Sequence, residues 1–154
     1  MKSKEEQIFF LGHQAEYERH LARLYKLYED LFPYSQVWTF LVEEERKHEE
    51  WLKQIMPKVQ SGEIYFYRNE FTVEAITQMI DYLKDEFDKA EKEGIDLMRA
   101  VSVALYIEDS SLEKNIFTYL DSDSPKIQEI LDSLSEDTKK HRNLLYNTRE
   151  QLKK

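Results

Sequence analysis

Cysteine is absent from the 154 residues, which excludes disulfides, thiol nucleophiles, thiolate-held iron–sulfur clusters and any four-thiolate iron site. Glycine and proline number three each, too few for the repeated tight turns of a strand-rich fold. No apolar run approaches the roughly 18 residues of a membrane-spanning helix. Positive charge is in deficit, with 22 basic residues against 31 acidic ones and a formal charge of −9. No basic stripe tracks phosphates, so nucleic acid is not an expected partner, and without a spanning run neither is a membrane. No Ser/His/Asp or glycine-rich phosphate pattern stands out. Residues Met1 to Glu6 lead into an amphipathic pattern and not into a leader peptide, which predicts a cytoplasmic protein.

What remains is rich in Leu, Glu, Lys and Tyr and reads as one all-α domain spanning 1–154. The first helix is predicted over about 5–32, ended by Pro33. Ser35 is the expected cap of a second helix over about 35–56, stopped at Met56-Pro57. A crossover over about 57–93 follows. It holds the aromatic stretch Ile64-Tyr65-Phe66-Tyr67 and an extra helix opened by Thr72 and ended by Gly94. Asp96 caps a third bundle helix over about 96–120, Asp121-Ser122-Asp123 is read as a loop, and Ser124-Pro125 starts the last helix, over about 125–151. Short connections within each pair predict an antiparallel four-helix bundle with a long crossover.

Several apolar stripes carry polar residues where core should be. Trp38, Leu41, Glu45, His48, Leu52 and Ile55 recur at three- and four-residue steps, so a carboxylate and an imidazole share a buried face. Burying a carboxylate without compensation costs several kcal/mol, so Glu45 and His48 should be paired, hydrogen-bonded or bound to a cation. Glu-x-x-His suits a divalent transition metal, although the motif also arises by chance in acidic helices. Glu18 lies on the stripe of Leu11, Ala15, Leu21 and Tyr25. Glu108 lies on that of Val101, Ala104, Leu105 and Leu112, and His141 on that of Leu134, Thr138 and Leu145. By contrast His13 and His20 fall off the Glu18 stripe, and Glu16 with His20 reads as a surface pair.

The two halves repeat. Leu41 to His48 aligns with Leu134 to His141, and each segment follows a helix with one Glu in its stripe, 27 residues from Glu18 to Glu45 and 30 from Glu108 to Thr138. With this pattern the chain resembles the ferritin-like superfamily, and within it the rubrerythrin-like di-iron carboxylate proteins, whose bundles carry one Glu on each of two helices and Glu-x-x-His on the other two. The resemblance covers about Ile8 to Leu145. It implies a metal site of Glu18, Glu45, His48, Glu108 and His141, with Glu45 bridging and Glu18 and Glu108 terminal. It also implies Tyr25 near the metals, as hydrogen-bond donor or radical carrier. One or two iron ions are the implied cofactor, and Mn or Zn also suits the donors. The activity implied is peroxide reduction or ferrous oxidation fed by an external electron donor.

The chain also departs from that family. Thr138 stands where the second bridging Glu belongs, Asn115 where the repeat would place a second Tyr, and Ser111 where rubrerythrin has a further Glu. Glu113 lies about 140° around the helix from Glu108 and is no substitute. Asp137, one turn before His141, would reach the site only if the helix rotated, and the Thr138 hydroxyl would at most bind a metal-held water. Three carboxylates against two ferrous ions leave residual positive charge, so the second ion should bind less tightly. Three readings follow: a redox enzyme, a non-catalytic metal carrier or sensor, and a structural module with a decayed site. The stretch Ile64 to Tyr67 reads as a crossover covering the bundle's side or end, or instead as an interface patch, and a homodimer is expected, joined through an apolar helix face or through that patch.

Overall fold

The computed structural model describes residues 3–66, 72–110 and 120–154. Among these lie five α-helices and one pair of short strands: α1 Lys4–Leu31, α2 Val37–Gln60, β1 Ile64–Phe66, α3 Val73–Glu93, α4 Leu97–Asp109, β2 Leu120–Ser122 and α5 Pro125–Leu152.

Capping fixes most helix starts. The hydroxyl of Ser3 accepts from the Glu6 amide, that of Thr72 from Ala75 and that of Ser124 from Ile127, while the Asp96 carboxylate accepts from Arg99. Gly94 ends α3 at φ +77°, a conformation that costs a side-chain-bearing residue more than glycine. Two boundaries differ from expectation. Ser35 does not cap α2; its amide donates to Phe32 in the interhelical turn, and Gln36 occupies the cap position without a side-chain bond. Nor does α2 stop at Pro57. Its last turn runs on to Gln60, because one more turn places Val59 in the core, 1% exposed.

Residues 121–123 are not simply a loop. Leu120–Ser122 pairs antiparallel with Ile64–Phe66, Ile64 opposite Ser122, and the Ser122 hydroxyl donates to the Glu63 carbonyl at 2.6 Å. Ile64 is buried within its own chain. This pairing also takes Leu120 out of the expected third helix. That helix is described to Asp109, and the stripe positions Leu112, Ile116 and Tyr119 lie outside the described residues, as do Ser111, Glu113, Asn115 and Tyr67.

Packing follows the stripes. α1 lies along α2 on one side and α3 on another, α4 packs on α5, and α2 meets α5. Leu11, Leu21, Leu24, Trp38, Leu41, Leu52 and Leu145 are fully buried in one continuous core. Each buried Leu side chain contributes roughly 1.5–3 kcal/mol over an exposed one. α1, α2, α4 and α5 thus form a helical bundle that carries all five expected site residues, with α3 against the outer side of α1. No described helix is long and apolar enough to cross a membrane.

Candidate metal centre

The polar residues on the four stripes converge. Glu18 of α1, Glu45 and His48 of α2 and His141 of α5 have no solvent exposure, and Glu108 of α4 is 8% exposed. Two triads result, Glu18 with Glu45 and His48, and Glu45 with Glu108 and His141; within each, one donor atom per residue lies within 4.8 Å of the others. Glu45 belongs to both. Its Oε2 is 3.5 Å from His48 Nδ1 and its Oε1 is 3.5 Å from His141 Nδ1. The two imidazoles face each other nearly parallel, ring centres 5.4 Å apart at 23°.

Neighbouring side chains hold these groups in place. Tyr25, two turns along α1 from Glu18, donates its hydroxyl to Glu108 Oε1 at 3.0 Å, tying α1 to α4. Gln14, one turn before Glu18 and equally buried, donates Nε2 to Glu18 Oε1 at 3.5 Å. His141 Nε2 lies 3.3 Å from Glu44 Oε1, and Phe40 meets the same ring edge-on. Lys47 sits between Glu44 Oε2 at 3.8 Å and Asp137 Oδ2 at 3.6 Å.

That last contact decides the fate of Asp137. Its carboxylate turns to Lys47 on α2 and joins neither triad. Thr138 is buried, but its hydroxyl donates to the Ser135 carbonyl at 2.8 Å, the usual retreat of a helical Thr into its own backbone. His20 pairs with Glu16 at 3.7 Å, but the pair is half-buried and not at the open surface, and burial followed by Lys84 and Arg19 lowers the His20 pKa.

Glu44, Gln14 and Phe40 went unrecognised in the sequence. Glu44 is hidden in a run of acids, its one signal being the alignment with Asp137 in the repeat. Gln14 is visible as a polar residue one turn before Glu18. α3 also carries a buried carboxylate, Glu86, 3.8 Å from Arg99. Burial, then Glu86 and Tyr82, raises the pKa of the buried Tyr28 phenol; burial and Glu86 push Tyr82 up to about 12.

The donor chemistry fits a divalent cation. Three carboxyl groups and two imidazoles share this buried cluster, where uncompensated charge is expensive, so it must take up either protons or a cation. Carboxylate oxygens with imidazole nitrogens suit iron, manganese or zinc. Comparison with protein-family models, with curated proteins and with solved structures finds no match to this chain.

Proposed function

We propose that the chain is a metal-binding protein of the ferritin-like, rubrerythrin-like kind, whose bundle core holds iron and acts on peroxide or oxidises ferrous iron. The observation that carries this reading is the sharing of Glu45 between two buried triads, each with one imidazole and one further carboxylate. Glu18 and His48 would hold one ion and Glu108 and His141 a second, with Glu45 within reach of both groups. Bound iron would supply the reversible one-electron change that redox chemistry requires.

The chain's own residues supply the rest. Burial keeps bulk water from the ligands and strengthens every charge interaction among them. The Tyr25 hydroxyl and the Gln14 amide fix the rotamers of Glu108 and Glu18. Glu44 accepts the Nε2 proton of His141, so that Nδ1 presents its lone pair toward Glu45. Electrons come from an external one-electron donor.

A second reading has its own support. Glu45 stands 3.5 Å from each of two imidazoles, a geometry that also suits a metal-free network in which a protonated histidine balances the carboxylate. Elemental analysis separates the two, on protein produced anaerobically with iron and purified without a histidine tag. Near two irons per chain supports the redox reading and calls for peroxide assays; near one favours a carrier or sensor. No bound metal, with Glu45→Ala and His48→Ala altering stability alone, would leave the structural network.

A further inference from the structure

Away from the bundle core, α1 and α3 flank an open pocket of about 230 Å3, lined by His20 and Arg23 from α1 and by Leu83, Lys84, Phe87 and Asp88 from α3. The chain is strongly acidic, yet two cations converge here and neither Arg23 nor Lys84 makes an ion pair with a described residue. The Arg23 guanidinium carbon lies 4.2 Å over the centre of the Phe87 ring. Stacking restrains the plane of the guanidinium and leaves its in-plane N–H groups free to donate to an oxyanion. His20 adds a ring nitrogen, steadied by Glu16 at 3.7 Å.

We propose that this pocket binds a phosphate group. A carboxylate, planar and singly charged, is satisfied by one guanidinium. Two cations on facing helices, with an imidazole lining the same pocket, match an anion whose oxygens point several ways and carry two charges. Leu83 is buried and Phe87 half-buried, so the remaining wall is apolar and accommodates the carbon of a phosphate monoester. Nucleic acid is a poor match, since a strand needs a track of cations and this is a single focus on an acidic molecule. Asp88 is the one carboxylate lining the pocket and opposes the bound charge. The site is separate from the carboxylate/histidine core and does not depend on metal there.

The test is calorimetric and 31P NMR titration of the full chain at constant ionic strength, with chelator present, against inorganic phosphate and phenyl phosphate. Saturable binding of either is expected. Arg23→Ala/Lys84→Ala should weaken it at least about tenfold, the loss of two charge-assisted contacts, and Asp88→Asn should tighten it. All three residues contribute exposed side chains, and circular dichroism establishes that each variant is folded. Equal affinity for the two probes identifies the bare phosphate as the ligand, and tighter binding of the ester identifies an organic phosphate seated on Phe87. Absence of saturable binding, binding unchanged in the double variant, or equal binding of chloride overturns the proposal.

Discussion

Glu44 of α2 and His141 of α5 face each other across the bundle, with Oε1 3.3 Å from Nε2. A carboxylate oxygen accepts, so the contact suits a proton on Nε2, and the ring's other nitrogen, Nδ1, faces inward, 3.5 Å from Glu45. A histidine whose outer nitrogen is so held has its ring orientation fixed for an ion at the other nitrogen. Glu44→Gln removes the charge while nearly keeping the shape. It is expected to weaken metal binding roughly 10–100-fold in chelator competition, with little change in the metal-free melting curve. Unchanged affinity would mean that Glu44 serves only to anchor Lys47.

Tyr25 offers a cleaner deletion. Its ring packs 5.8 Å from Trp38, and its hydroxyl reaches Glu108 at 3.0 Å. Tyr25→Phe keeps the ring and removes one hydrogen bond to a buried carboxyl, worth about 1.5–3 kcal/mol when the acceptor is charged. Urea denaturation should show a lower midpoint with an unchanged slope. If the stability is unaffected, the Tyr25 hydroxyl contributes nothing to holding Glu108.

The alkaline limb of stability should be governed by Tyr28 and Tyr82. Both phenols titrate above their ordinary value of 10, each through burial first and the Glu86 carboxylate second. The folded state therefore holds protons that the unfolded chain has released. The resulting stabilisation is complete below pH 10 and is lost as the pH rises through about 12, the value for Tyr82. Phenolate absorbance followed together with circular dichroism should show a late ionisation step coincident with loss of helix. Tyr82→Phe should remove part of that step.

The convergence of Glu18, Glu45, His48, Glu108 and His141 was legible because each sits on an otherwise apolar helical stripe, where burial of a charged group demands a partner. Periodicity and a repeat were enough to place them on four helices and at one level. Glu44 was not legible. Among Glu43, Glu44 and Glu45 it looks like solvated surface, and only the docking of α5 gives it His141. Glu86 lies on the apolar stripe of α3, between Leu83 and Ala90, but has no companion motif to single it out. The pairing of β1 with β2 left no trace either, because strands of three residues have no usable period and their partners lie more than fifty positions apart. The true end of α2 was masked by Pro57, a strong local signal overruled by the gain from burying Val59.

Thr138 provides the sharpest division between a site built for metal and one that is merely a buried network. It occupies the position that Glu45 holds in the other half of the repeat, is 4% exposed, and sends its hydroxyl back to Ser135. Thr138→Glu would add a fourth carboxylate beside His141. Without metal, that substitution buries a further carboxyl group in a cluster that already holds three, and should cost several kcal/mol. With a divalent metal the same carboxylate becomes a ligand and completes the charge balance for two ferrous ions, so the cost should be reversed. The expected signature is a melting temperature well below the parent's in chelator and at or above it with ferrous iron supplied anaerobically, together with a metal content rising toward two per chain. A variant equally destabilised with and without iron would count against a cation in this core, since a cation there should welcome the added carboxylate.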